Sequence, residues 1–242
     1  MPQTIQLFVT CIVDTFYPEI GEAVVRVLER AGANVSFPDA QTCCGQPAFN
    51  AGMRRQARQM AMQTIQVFED TEGPVVIPSG SCCAMVRHSY LELFADDPVW
   101  LPRARRLAQR TYEFTEFLVD RLGVTDLNAR FPGKLTYHRS CHLLRDLHVE
   151  RQPLALLAAV KDAELVELPH AEECCGFGGV FSVEHSEISS AMLARKLTNL
   201  ETSGATQVVA CDAGCLTHIN GGLNRLGRPA CGRHIAEILN QE

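Results

Sequence analysis

Eight of the eleven cysteines fall into two copies of one pattern: Cys11, Cys43-Cys44-Gly45 and Cys82, then Cys141, Cys174-Cys175-Gly176 and Cys215. Each member of the second copy lies 130 to 133 residues after its mate, from Cys11 to Cys141 and from Cys82 to Cys215. That register marks an internal duplication with almost no insertions. Four soft thiolates drawn from three separated segments are the ligand set that iron-sulfur clusters and structural zinc both demand. The thiolate is the competent ligand, and a free cysteine has a pKa of about 8.5, so a metal or a positive environment must hold four of them deprotonated. Adjacent cysteines in extended backbone point in different directions, so Cys43 and Cys44 can serve different atoms of a cluster, or different sites. That suits simple tetrahedral zinc poorly. Zinc pairs have two to four residues between the ligands, and only Cys211 to Cys215, with three between, resembles one. The expectation is one or two iron-sulfur clusters of the 4Fe-4S kind, with zinc the lesser alternative.

The glycines belong to the same chemistry. An anionic cluster is costly to bury unless backbone N–H groups point at its sulfurs. Gly45 after one cysteine pair, and Gly176, Gly178 and Gly179 after the other, allow that close approach. Cys83, Cys211 and Cys231 stand outside the repeat and read first as small buried apolar residues. Cys211 is the weaker ligand candidate, because half one has Pro78 in its place. His138, His142 and His170 lie near Cys141 and Cys174, where an imidazole can donate to cluster sulfur, replace a cysteine on iron or shuttle protons; ordinary histidines bonded to backbone are the plainer reading. Arg139 and Arg145 flank Cys141 and are either surface residues or a clamp for a substrate carboxylate.

Apolar, strand-like runs precede the cysteines in both halves: Ile5 to Thr10, Asn34 to Phe37 and Val75 to Ile77, then Lys134 to His138, Glu164 to Leu168 and Gln207 to Ala210. Helical spacing fills the intervals at Glu19 to Arg30, Met53 to Glu69, Pro153 to Lys161 and Ser186 to Thr202, and Gly73-Pro74 breaks the second of these. Alternating strands and helices predict an α/β protein of two similar Rossmann-like lobes with parallel sheets. Its cysteine sites would lie at strand C-terminal ends, where open sheets of this kind bind ligands. The boundaries predicted are a first lobe over 1–100, a connecting helix within 101–130 and a second lobe over 131–242. Pro102 to Leu122 reads as an amphipathic helix that packs the lobes together.

Composition adds exclusions. With 46% hydrophobic and 21% charged residues among 242, a sizeable core forms without disulfides. The net charge of −6 argues against nucleic acid or an anionic membrane as main partner. The basic residues Arg103, Arg105, Arg106 and Arg110 read as one helix face, or as a docking patch for an acidic partner. The start Met1-Pro2-Gln3 carries no basic leader region, and no apolar run reaches the roughly 18 residues of a membrane span. Eleven cysteines, an odd number, suit a reducing compartment, so a cytoplasmic location is expected. No G-x-G-x-x-G follows a first strand, and Gly176-Phe177-Gly178-Gly179 has the wrong spacing and context for a pyrophosphate, so an independent dehydrogenase is not expected.

The doubled Cys, Cys-Cys-Gly, Cys arrangement resembles the cysteine-rich CCG domain of the heterodisulfide reductases, the glycolate oxidase iron-sulfur subunit and related electron-transfer subunits. Three longer stretches are similar to the short lactate-utilisation members of that family: Arg110 to Leu118, Tyr137 to Arg145 and Glu173 to Gly179. The resemblance covers essentially the whole chain. It implies iron-sulfur binding, cysteine groups facing the interface of two lobes, and service as an electron-transfer subunit in a system oxidising L-lactate to pyruvate. The implied partners are a ferredoxin-like iron-sulfur subunit and a third subunit. The other functions it admits are a thiol or heterodisulfide reductase-type subunit and, without catalysis, a structural metal-binding scaffold. The fuller family motif closes on C-x-x-C and supplies five cysteines to a non-cubane cluster. Here Ser79 and Asp212 stand where the extra cysteines would be, so four-cysteine ligation is expected: Cys11, Cys43, Cys44 and Cys82 in one set, Cys141, Cys174, Cys175 and Cys215 in the other.

Overall fold

Residues 3–241 are described in a computed structural model. Met1 and Pro2, part of the stretch read above for a leader, lie outside them. The first lobe contains strands β1 (Thr4–Leu7), β2 (Asn34–Ser36), β3 (Val75–Ile77) and β4 (Thr111–Glu113). The second contains β5 (Arg130–Tyr137), β6 (Lys161–Leu165), β7 (Gln207–Ala210) and β8 (Cys231–His234). The sheet orders are β2-β1-β3-β4 and β6-β5-β7-β8, so one topology occurs twice. Every pairing is parallel: Gln6 faces Val75, Leu135 faces Gln207, and the outer pairs follow the same sense. The chain is therefore α/β with two similar lobes. Val75, Val76 and Ile77 are all buried because β3 is covered on both faces by crossover helices, the condition under which a strand reads as an unbroken apolar run.

In each sheet the chain order reverses between the two central strands, and there loops diverge and leave a crevice. Cys11 follows β1 and Cys82 follows β3, on the two sides of the reversal; Cys141 follows β5 and Cys215 follows β7 in the same relation.

Two strands were not anticipated. The helix expected over Pro102–Leu122 is interrupted: Trp100–Gln109 is helical, Thr111–Glu113 forms β4 beside β3, and helix resumes at Phe114–Glu116 with a π-helical turn at Phe117–Arg121. Thus the first sheet extends past residue 100. Strands β4 and Cys231–His234, of three and four residues, display neither alternation nor an apolar run, and only pairing with β3 or β7 reveals them. Strand β6 also ends at Leu165 rather than Leu168, leaving a longer loop before Cys174.

Each lobe sends its last helix onto the other. Helix Ile235–Leu239 packs on Pro18–Arg30 of the first lobe, and the Arg30 guanidinium donates to the Leu239 carbonyl. Reciprocally, Phe114–Glu116 and its π-turn pack on Arg151–Ala158 of the second, where Gln152 and Arg151 both donate to Asp120. One continuous core runs through both lobes, from Ile5 and Val76 to Leu135, Val209 and Ile235.

Both exchanged helices begin with a capping box, led by the fully buried Glu113 in one and His234 in the other. Burial pushes the Glu113 carboxyl from 4.5 up to about 7, against hydrogen bonds from Thr115 and the Glu116 backbone that favour the anion. Because the folded pKa is raised, the native state holds this proton more tightly than the unfolded chain, and stability falls as pH rises from about 4.5 through 7. Glu113→Gln removes that titration. The variant should lose about 3 kcal/mol less than the parent between pH 5 and pH 8 in urea unfolding. Equal slopes for the two proteins would show that Glu113 is not protonated by its burial.

Candidate metal centre

The cysteines are delivered by short local devices. Thr10, at φ 76°, turns the chain out of the β1 segment so that Cys11 opens helix Cys11–Phe16. Ser79, in extended backbone, caps helix Gly80–Ala84 by accepting from the Cys82 N–H at 3.3 Å. Asp212 caps helix Ala213–Arg225 in the equivalent place, accepting from Gly214 N–H at 3.3 Å. Gly45 and Gly176 follow the paired cysteines at φ 86° and 90°, a region L side chains rarely enter. Their N–H groups turn back onto the preceding sulfurs: Gly45 N to Cys43 Sγ at 3.4 Å and Gly176 N to Cys174 Sγ at 3.3 Å.

All eight repeat cysteines line one cavity of about 110 Å³ between the lobes. In the first lobe Cys44 Sγ lies 3.3 Å from Cys82 Sγ, and Cys43 accepts from Cys11 and Cys44. In the second, Cys174 accepts from Cys141 and Cys175, and Cys175 also contacts Cys215. Each quartet expected from the sequence is thus brought together. Cys211 is not in this cavity: it is fully buried, with its sulfur 3.5 Å from the Tyr137 hydroxyl. Cys83 is buried in the core and Cys231 Sγ donates to Gln207 Oε1 at 2.8 Å; neither lines the cavity.

The lobes are held face to face by close contacts beside the cysteines. A Cβ on Gly80 would lie 2.7 Å from Leu143 Cβ, so helices Gly80–Ala84 and Cys141–Arg145 touch through a position that needs glycine. Asp212 reaches across to accept from the Ser81 N–H at 2.9 Å and the Ser79 hydroxyl at 3.3 Å. The two positions where the longer motif would carry further cysteines therefore meet across the interface and join the lobes. Their capping spacing, three residues before Cys82 and Cys215, was visible in the sequence; the bond between them was not.

The electrostatics show what the quartets lack. Hydrogen bonds from Cys11 and Cys44 bring the Cys43 thiol down to about 3 despite burial. Those from Cys141 and Cys175 bring Cys174 to about 2, aided by the Gly176 N–H. The donors shift in the opposite direction: Cys11 and Cys141 are raised by their bonds to Cys43 and Cys174 and by burial, and Cys44 and Cys175 rise for similar reasons. Cys215 falls to about 6 through its bond from Cys175, with His138 helping. Negative charge thus gathers on Cys43 in the first set and on Cys174 and Cys215 in the second, while the donor thiols keep their protons until a cation arrives.

The flanking residues divide sharply. His138 is fully buried beside the second quartet; one of its ring nitrogens and the sulfurs of Cys175 and Cys215 lie within 4.8 Å of one another, and neither nitrogen has a nitrogen or oxygen hydrogen-bond partner. His142 lines the cavity, with Nδ1 2.6 Å from Asp146 Oδ2 and Nε2 3.2 Å from Gln46 Nε2, a contact that sequence spacing alone did not suggest. His170 lies elsewhere, its carbonyl accepting from Lys196 at 2.9 Å. Arg139 pairs with Glu150 and Arg145 donates to the Glu172 carbonyl, so neither clamps a molecule in this cavity. In the basic cluster, Arg103 pairs with Glu69 and stacks over Trp100, and Arg110 donates to backbone carbonyls, including that of Gly73. Four thiols per lobe, amides aimed at two of the sulfurs and a buried imidazole beside two more are a donor set suited to an iron-sulfur cluster or a thiophilic metal.

No helix among the described residues is long and apolar enough to cross a membrane. The cysteine-rich domain model, CCG, matches residues 5–87 and 135–220, one copy per lobe. Lactate utilization protein A of Bacillus pumilus is 50% identical over 236 residues, covering 98% of this chain and 98% of its own. Its namesake in Geobacillus kaustophilus matches at the same identity and coverage. Among solved structures, a hypothetical protein from Helicobacter pylori superposes with TM-score 0.69 and 10% identity over 99% of this chain. This chain spans 48% of that one, a likeness of fold alone. With its two matched halves and these full-length relatives, the chain belongs to the CCG cysteine-rich domain family, alongside the lactate utilization A proteins.

Proposed function

We propose that this protein is the iron-sulfur electron-transfer subunit of a cytoplasmic complex that oxidises L-lactate to pyruvate. The observation carrying this reading is the convergence of all eight repeat cysteines on one interlobe cavity. Cys11, Cys43, Cys44 and Cys82 would hold one 4Fe-4S cluster, and Cys141, Cys174, Cys175 and Cys215 a second. Such clusters supply one-electron transfer, at potentials set by burial and by hydrogen bonds to sulfur. The chain's own part is to hold the thiolates, aim the Gly45 and Gly176 amides at them and limit access by water. Chemistry on the substrate is shared with partners, a ferredoxin-like iron-sulfur subunit and a third subunit. The full-length relatives named for lactate utilisation support the lactate part of this reading.

The test is purification without oxygen, iron and labile-sulfide analysis, and EPR before and after dithionite, followed by lactate oxidation with and without the partner subunits. Iron and sulfide in a reversibly reducible form, with turnover only in the assembled complex, is the expected result. Zinc without sulfide, or metal without redox change, would instead make the protein a scaffold. Turnover of a disulfide with a reduced dye would assign it to the thiol-reductase class.

A further inference from the structure

The two lobes repeat each other closely, and their departures from symmetry at the cysteines are informative. Phe8 and His138 are 130 residues apart and occupy the same backbone position: Phe8 N–H donates to the Val76 carbonyl at 3.0 Å and His138 N–H to the Val209 carbonyl at 2.9 Å. Both side chains are buried. The first lobe places a phenyl ring there, which packs on Phe68 with centroids 5.4 Å apart. The second places an imidazole, and the surroundings supply no nitrogen or oxygen partner for Nδ1 or Nε2; its polar neighbours are the sulfurs of Cys175 and Cys215. A buried polar group without such a partner is destabilising, and an imidazole has two polar ring atoms. Phenylalanine, tolerated at the mate position, would avoid that cost.

The imidazole is also aimed. A ring nitrogen of His138 and the sulfurs of Cys175 and Cys215 lie within 4.8 Å of one another, a grouping of one nitrogen and two sulfurs that a single metal atom can gather. We infer that His138 is a nitrogen ligand to iron of the second cluster, a fifth donor beside Cys175 and Cys215, so that the second lobe carries a mixed sulfur and nitrogen site while the first is all sulfur. The inference deepens the iron-sulfur reading above and rests on it. The orphaned nitrogen then gains its partner from the metal, and the desolvation cost is offset in the loaded protein. It follows that the two centres are chemically distinct despite the duplication.

The experiment uses the full chain, loaded with iron and sulfide without oxygen, grown with 15N-labelled histidine and reduced with dithionite. Pulsed EPR then reads any labelled nitrogen bound to the paramagnetic centre. The expected result is a 15N coupling of directly bound strength in one of two cluster signals. It should disappear with its signal in Cys174→Ser and persist in Cys43→Ser. His138→Phe, which installs the residue of the first lobe, should abolish the coupling while iron remains in both lobes. His138→Gln, which keeps a polar side chain, should abolish it as well, so the result does not depend on one variant folding. Two cluster signals without bound nitrogen in the unaltered protein, or a coupling that survives both His138 substitutions, would overturn the inference and leave the iron-sulfur reading standing. Absence of any cluster signal would overturn both.

Discussion

Cys174→Ser should remove the iron-sulfur signal of the second lobe and leave that of the first, while Cys43→Ser should do the reverse. In each case bound iron should fall by about half, because each quartet closes around its own central thiolate. Cys174 is that centre: it accepts from Cys141, from Cys175 and from the Gly176 amide, which together hold it far below an ordinary thiol. Serine is similar in size but keeps its proton at neutral pH, and its oxygen is a hard donor poorly matched to iron bound by thiolates. The fold itself should change by less than about 1 kcal/mol, since a half-buried side chain is replaced by one of nearly the same shape. EPR and iron analysis on each variant decide the matter; both signals surviving in either variant would refute the division into two quartets.

Gly176→Ala should be the most destabilising single-methyl change near the site, at about 3 kcal/mol. Part of the effect is the left-handed backbone, φ 90°, where a side chain costs about 1–3 kcal/mol. The remainder is collision: the new Cβ would stand 2.8 Å from the Ser189 carbonyl oxygen and 3.0 Å from Met192 Cβ, so helix Ser186–Ser203 must move away. Gly204→Ala separates the two contributions, because Gly204 has φ 66° with open space around its would-be Cβ. It should cost about 1 kcal/mol and leave metal content unchanged. By shifting the Gly176 amide, Gly176→Ala should also reduce iron in the second lobe. Equal losses in thermal or urea unfolding for the two variants would show that the close approach of helix Ser186–Ser203 is not what requires glycine.

The cysteines, the duplication and the central strands were legible because each is written locally. Val75–Ile77 and Gln207–Ala210 occur at the predicted residues, since a buried parallel strand is an apolar run whatever surrounds it. Helix Ser186–Ser203 likewise follows its sequence signal to within a residue. The edge strands β4 and β8 were missed, as Thr111–Glu113 and Cys231–His234 are short and carry no apolar run. The exchange of terminal helices was legible only in part: Pro102–Leu122 was read as packing the lobes together, as Phe114–Arg121 does, but nothing local in Ile235–Leu239 specifies that its apolar face meets the first lobe. The arginines beside Cys141 illustrate the limit for side chains. Adjacency in sequence suggested a shared task, but the turn into helix Cys141–Arg145 directs Arg139 to Glu150 and Arg145 to Glu172.

By itself the sequence determined the chemistry available: two quartets of thiols, a glycine after each cysteine pair, and alternating strands and helices to carry them. These follow from residue type and spacing along the chain, which no fold can alter. Only the tertiary structure decided that both quartets open on one cavity, that Ser79 and Asp212 meet where further cysteines would have stood, and that His138 is aimed at sulfur while its mate Phe8 joins the core. Those outcomes depend on distances between residues remote in the chain, and such distances exist only once the two sheets have closed on each other.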